Sequence, residues 1–204
     1  MPKEALVVPR DILFGENHFQ GFVPATEKDF LQTILKNYNY HPRGDELETN
    51  NQLQQIIPYV WIVNPQTKKV FAYRRAPNKK YSEARLRNKW SCGLGGHIER
   101  QDGENPIIAA ALRELTEEVK ITNYSQPKII GYLKDDSNEV GKVHFGVVAI
   151  VETTHPVEKG DDEMAECKLL TIKEFESLLS NQEVDIETWT KLSWPFVKNY
   201  LLTK

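Results

Sequence analysis

Glu114, Glu117 and Glu118 fall at i, i+3 and i+4 in the run PIIAAALRELTEEV. On an α-helix, at about 100° per residue, three such carboxylates share an arc of roughly a quarter turn. Like charges so placed destabilise a helix by about a few tenths of a kcal/mol per pair, and a divalent cation would offset that. Hard cations such as Mg²⁺ prefer oxygen ligands and retain waters, so this face suits a metal bound together with substrate phosphates. Arg113, next to Glu114, could orient a carboxylate by a bidentate contact. Most acidic triplets on helices are only a solvated face, so the surrounding sequence has to carry the chemistry.

The helix that presents these residues is legible on local grounds. Asn105 is a good N-cap, and Pro106 suits the first helical position, where its missing N–H costs nothing. Ile108, Ala111, Leu112, Leu115 and Val119 recur at three- and four-residue spacing and predict a core-facing stripe. Upstream, RRAPNKKYSEARLRNKWSCGLGGH concentrates Arg74, Arg75, Lys79, Lys80, Arg85, Arg87 and Lys89 against the single acid Glu83. Downstream, VEKGDDEMAEC brings Glu158, Asp161, Asp162, Glu163 and Glu166 into one short loop.

Other elements follow from period and turn signals. Thr26 to about Tyr38 predicts a helix, with Thr26 as cap, Asp29 at the capping-box position and Phe30, Ile34 and Leu35 as its apolar stripe. HPRGDELETNNQ is polar and predicts a loop. Two β-rich runs around Asn64 to Lys68 form a hairpin signature, and residues 128–133, 142–152 and 167–170 predict further strands. A helix capped by Thr171 with Glu174 follows, and the tail from Glu187 reads as a helix interrupted at Pro195. Strands on both sides of a central helix, with helices at the end, predict an α/β fold with a mixed sheet. Residues 1–54 read as an N-terminal extension with one helix, packed on a core of residues 55–204.

The bulk composition narrows the function classes. At 204 residues, 40% hydrophobic and 27% charged, the chain has the makings of a folded core. With 26 basic against 29 acidic residues, net charge −3, it has no general attraction to a nucleic acid polymer or an anionic membrane. The start MPKEALVVPR lacks a secretory signal, no apolar run is long enough to span a bilayer, and the two cysteines, Cys92 and Cys167, fit a reducing cytoplasm in which neither is bridged.

Taken together, the string from Gly96 to Ile121 resembles the Nudix hydrolase motif, G-x5-E-x7-R-E-U-x-E-E-x-G-U, where U is a bulky aliphatic residue. Gly96 matches the first glycine, Glu104 the first glutamate, Arg113 to Glu118 the helical core and Ile121 the end. Seven residues rather than five separate Gly96 from Glu104, and eight rather than seven separate Glu104 from Arg113. The loop before the helix is therefore longer by three residues, and Lys120 stands where the motif has its last glycine. SCGLGGHIE, with the preceding VVPRDILFGENHFQGF, is also similar to a group of Nudix proteins described as predicted MutT-like phosphoesterases.

The resemblance implies a Nudix-like α/β/α sandwich and hydrolysis of a diphosphate bond in a small molecule of the nucleoside diphosphate-X type, with a homodimer among the assemblies it allows. It implies Mg²⁺ or Mn²⁺ held by Glu114, Glu117, Glu118 and the Gly95 carbonyl, with Arg113 positioning a glutamate. A base must take a proton from the attacking water, and Glu163 is the candidate from the downstream acidic loop. Arg85, Arg87 and Lys89, approaching Gly95 along the chain, are the candidates to grip substrate phosphates. His97 either contacts substrate or hydrogen-bonds a loop. Trp90, Trp61 and Tyr59 either stack on a base or belong to the core. An isomerase related to isopentenyl diphosphate isomerase would need a cysteine where Gly95 stands. A non-catalytic nucleotide-sensing or partner-binding Nudix module, the main alternative, would tend to lose the glutamates that this chain keeps.

Overall fold

The computed structural model describes residues 3–77, 84–160 and 162–204. In chain order the first elements are β1 (Glu4–Pro9), α1 (Arg10–Phe14), β2 (Gly21–Pro24), α2 (Phe30–Asn37), β3 (Asn39–Pro42) and α3 (Asp45–Thr49). They are followed by β4 (Leu53–Asn64), β5 (Lys69–Arg75), β6 (Trp90–Ser91), β7 (Gly93–Leu94) and α4 (Pro106–Glu118). The chain continues through β8 (Val119–Lys120), β9 (Lys128–Lys134), α5 (Glu139–Val143), β10 (His144–Glu152), β11 (Glu158–Lys159) and β12 (Met164–Thr171). It ends with α6 (Ile172–Ser180) and α7 (Thr188–Leu202). The fold is α/β with a mixed sheet, as the alternation of periods predicts.

Two compact units contain these elements. One comprises Met1–Tyr59, Gly95–Ala111 and Ile129–Ala149. Its sheet pairs β1 antiparallel with β3 and with the first half of β4, and β2 antiparallel with β9. Leu6, Val8, Phe14, Phe30, Ile34, Ile56, Ile98, Tyr132 and Phe145 are buried together there. Phe14, Phe30, Tyr132 and Phe145 meet edge-on or tilted, the arrangement that aromatic quadrupoles favour.

The other unit comprises Val60–Leu94, Leu112–Lys128 and Ile150–Lys204. The expected hairpin is present, with Val63 opposite Val70 and Asn64 opposite Lys69. β5 also pairs with β12 and β6, and β7 pairs with the second half of β4. Trp61 stacks on Trp194, Phe175 packs edge-on against both, and the Trp61 indole N–H donates to Ser193 Oγ at 3.1 Å.

Several boundaries differ from the sequence reading for identifiable reasons. α2 begins at Phe30 rather than Thr26, because the Asp29 carboxylate itself accepts from the Leu31 N–H. The polar run 41–52 is not all loop: its Leu47 is buried and anchors α3. The described part of residues 1–54, where one helix was expected, carries three short ones. The strand expected from 142 begins at His144, after α5, which is capped by the Asn138 side chain. Thr171 and Glu174 do form the reciprocal capping box of α6. Pro195 does not interrupt α7, which runs unbroken from Thr188 to Leu202. Interior proline costs about 3 kcal/mol, but Pro195 faces solvent while Trp194, Val197 and Leu201 on the same helix are buried.

Candidate active site

The helix α4 begins at Pro106 as expected, with the Ala109 N–H bonded to the Asn105 carbonyl at 3.0 Å. Pro106, Ile107, Ala110, Ala111 and Leu115 are buried on it, and Val119 just past its end, so Ala111, Leu115 and Val119 of the predicted stripe are buried while Ile108 and Leu112 are half-buried. On the more exposed side the Arg113 guanidinium donates to Glu114 Oε1 at 2.6 Å and to Glu117 Oε2 at 3.3 Å. Glu114 is 13% exposed and Glu117 is 59% exposed, so one lies against the protein and the other stands in water. Arg113 thus supplies part of the charge compensation that the sequence reading assigned to a cation. Two of the three carboxylates, Glu114 and Glu117, contact this guanidinium, and an all-oxygen set of this kind suits a hard divalent ion.

The helix ends by a device the sequence motif does not contain. Lys120 replaces the motif's last glycine, and Val119 and Lys120 leave the helix to pair as β8 with β11, Lys120 opposite Glu158 and Val119 opposite Lys159. The Gly160 N–H then donates to the Glu118 carbonyl at 2.8 Å. A Cβ at Gly160 would stand 2.8 Å from the Glu118 oxygen and 2.9 Å from the Glu117 oxygen, so only glycine permits this approach. A glycine just past β11, rather than one in the helix itself, closes the helix end. Glu163, in the same downstream loop, is half-buried in a turn, and its backbone carbonyl accepts from the Ala76 N–H at 2.7 Å. Glu166 pairs with Arg74 at 2.8 Å, and Asp161 lies outside the described residues.

Before the helix, the motif loop belongs to the unit that also contains Met1–Tyr59. Gly95 fits so closely against β4 that a Cβ there would lie 1.8 Å from the Pro58 carbonyl oxygen. Gly96 and His97 follow, half-buried. The three added residues are taken up by a 3-10 turn at Arg100–Asp102, closed by reciprocal bonds between Glu99 and Asp102 and by Gly103 at φ 76°. Arg100 binds Glu4 at 2.7 Å and lies over the Tyr40 ring, so the N-terminal segment braces the longer loop. Glu104 is exposed just ahead of the helix.

His97 Nε2 lies 2.7 Å from Gln55 Oε1, 3.4 Å from His144 Nε2 and 3.9 Å from Glu48 Oε1. Burial, with Arg43, His144 and Lys3 around it, pushes the His97 pKa down to about 2 and keeps the ring neutral. Among the described residues, Glu48, His97 and His144 are the one set of three potential metal ligands whose donor atoms lie within 4.8 Å of one another. Glu48 and His144 escaped the sequence reading because they belong to segments far from His97 along the chain, with no shared spacing to reveal them.

The basic stretch is less free than it reads along the chain. Lys89 pairs with Asp185 at 3.4 Å, Arg75 with Glu187 at 3.4 Å, and Arg74 with Glu166 and with Asn88 Oδ1 at 2.7 Å. These carboxylates come from residues 166–187, so a count confined to residues 74–89 overstates the local charge. Arg85 is exposed in a 3-10 turn and Arg87 is half-buried beside it. Lys79, Lys80 and Glu83 lie outside the described residues. Trp61, Tyr59 and Trp90 are buried, which places all three in the core rather than on a base-stacking surface. Cys92 is buried, Cys167 is half-buried, and both are free thiols. Among the described residues no helix is long and apolar enough to cross a membrane.

Comparison with known proteins bears on the family and the fold. The NUDIX domain pattern matches residues 54–192. Protein YmaB of Bacillus subtilis (strain 168) is 33% identical over 162 residues, covering 74% of this chain and 76% of that protein. Among solved structures, Tm1382, assigned to the Nudix hydrolases, superposes with a TM-score of 0.77 at 26% identity, covering 97% of this chain and 99% of that one. A bifunctional NMN adenylyltransferase/ADP ribose pyrophosphatase from Francisella tularensis has a TM-score of 0.51 at 13% identity, covering 72% of this chain and 41% of that one, which speaks to the fold alone. With the Arg113 to Glu118 helix in place and a domain match over most of its length, this chain belongs to the NUDIX domain family.

Proposed function

We propose that this chain is a pyrophosphohydrolase dependent on Mg²⁺ or Mn²⁺, acting on a small-molecule diphosphate of the nucleoside diphosphate-X type. The observation that carries the reading is Arg113 holding Glu114 and Glu117 on one side of α4, with Glu118 at the helix end tied to Gly160. Family membership supports phosphoric anhydride hydrolysis in general terms. In this reading residues 55–204 carry the hydrolase and residues 1–54 are an added segment that braces its loop, and the free thiols accord with a cytoplasmic setting.

Glu114, Glu117, Glu118 and the Gly95 carbonyl are the proposed ligands. A bound divalent ion would neutralise the diphosphate, polarise the attacked phosphorus and lower the pKa of water. Arg113 keeps Glu114 turned toward Glu117 and offsets their repulsion. Glu163 is the proposed base that takes the proton of the attacking water, and Arg85, Arg87 and His97 are the proposed contacts to substrate. Lys89 takes part only by exchanging Asp185 for a substrate phosphate. Gly95 leaves no room for a side chain, which disfavours the cysteine that isomerase chemistry would require.

The test is phosphate release from purified protein with a coupling phosphatase, with and without Mg²⁺ or Mn²⁺, across nucleoside diphosphate-X compounds and nucleoside triphosphates. Metal-dependent release from one class, abolished in Glu117→Gln with folding intact, is the expected result. Turnover by Glu117→Gln equal to that of the parent would overturn the assignment.

A further inference from the structure

The proposed hydrolase chemistry makes no use of Glu48 or His144, although both converge on His97. The three come from α3, from the glycine-rich motif loop and from the first position of β10. His144 Nδ1 lies 2.6 Å from the Val140 carbonyl and therefore carries the proton that it donates there. That tautomer directs the Nε2 lone pair toward the cluster, and a backbone carbonyl on the remote nitrogen is the usual support for a metal-bound imidazole. The 3.4 Å between the two Nε2 atoms equals what two nitrogens at about 2.0–2.1 Å from a tetrahedral ion subtend, about 3.4 Å. Glu48 Oε1, 3.9 Å from His97 Nε2, needs only a small side-chain movement to complete a third ligand.

We propose that Glu48, His97 and His144 form a site for a zinc-type transition-metal ion, with a fourth position open to water. Two imidazoles and a carboxylate are a zinc donor set, whereas the all-oxygen helix face suits Mg²⁺, so the two sites select different ions. In the metal-free chain, Gln55 Oε1 at 2.7 Å requires the His97 proton on Nε2. On binding, that proton is lost from Nε2, a proton is taken up at Nδ1, and His97 stays neutral, so no net proton is released. Lys3 and Arg43 oppose a cation here, and Glu48 together with an anion at the open position offsets them. Because Glu48 lies in the N-terminal segment and His97 in the motif loop, the ion would clamp one to the other.

The test uses the full chain stripped with a chelator. Zn²⁺ is titrated in competition with a chromogenic chelator, and Co²⁺ is added separately to read its visible spectrum. The expected result is one equivalent of Zn²⁺ and the intense visible bands of tetrahedral Co²⁺. His144→Gln and Glu48→Gln should each weaken binding about a hundredfold while keeping the far-ultraviolet circular dichroism of the parent. Should His144→Gln fail to fold, Glu48→Gln decides alone. Glu114→Gln should bind as the parent does, which separates this site from the hydrolase reading, whose own test is phosphate release. No tetrahedral Co²⁺ signal, or binding by Glu48→Gln equal to that of the parent, would overturn the proposal and leave a hydrogen-bonded histidine pair.

Discussion

The Gly160 N–H donates to the Glu118 carbonyl at 2.8 Å, so the glutamate end of α4 is closed by a residue outside the helix, just past β11. Because a methyl group at position 160 would press on the Glu117 and Glu118 carbonyls at 2.9 and 2.8 Å, Gly160→Ala must push β11 away or tilt the last helical turn. We expect a loss of about 1–3 kcal/mol in urea unfolding. A displacement approaching 1 Å at the glutamates should lower kcat by about tenfold to a hundredfold. Parent-like kcat in this variant would mean that the clasp does not position the glutamates.

Arg113→Ala separates the positioning of the carboxylates from helix stability. The guanidinium serves Glu114 at 2.6 Å and Glu117 at 3.3 Å, and the second is an exposed i, i+4 pair worth at most about 0.5 kcal/mol to the helix. Unfolding should change by about 1–3 kcal/mol, set by the largely buried Glu114 left without this partner rather than by the helix pair, while kcat falls by about tenfold or more. Thermal melting and turnover measured on the same sample check the two halves.

How much of this was legible depended on the range of the interaction. The start of α4 at Pro106 and the Thr171–Glu174 box are legible in the sequence because the signals lie within one turn. Asp29 was assigned the capping-box role when it is the cap itself, an error within one turn between two competing acceptors. Pro195 was misread because the burial of Trp194 and Val197, which outweighs it, is tertiary. The basic stretch looked unopposed because Asp185 and Glu187, which meet Lys89 and Arg75, lie about a hundred residues away. Gly160 stands in the same acidic loop as Glu163, yet only the β8–β11 pairing reveals what its missing side chain is for.

Gly95→Ala tests the close approach that sets the motif loop. An alanine Cβ would lie 1.8 Å from the Pro58 oxygen and 3.6 Å from the Tyr59 Cα, and these neighbours are all β4 backbone with no flexible side chain to yield. We expect destabilisation of more than about 3 kcal/mol, the upper end of overpacking, read as a lower urea midpoint or as insoluble expression. A soluble variant with the parent midpoint would show that β4 can give way.

Lys134 offers a prediction with a pH sign. Its side chain is 0% exposed, and its Nζ lies 2.9 Å from Asp136 Oδ1 and donates to the carbonyls of Gly141, Lys142 and His144. Lys134→Met removes the donor from three carbonyls and should cost about 3 kcal/mol at pH 7. Burial, opposed by Asp136, brings the Lys134 pKa down from 10.5 to about 8. Between those values the unfolded chain binds a proton that the folded chain has released, so the folded state gains stability as pH rises through the window. Below about pH 8 both states are protonated and the contribution is flat. Urea unfolding of the parent and of Lys134→Met, repeated from pH 7 to 10, isolates this residue because the other titrating groups are common to both. The stability difference should widen in favour of the parent above pH 8, and a difference constant with pH would mean that Lys134 keeps its proton throughout.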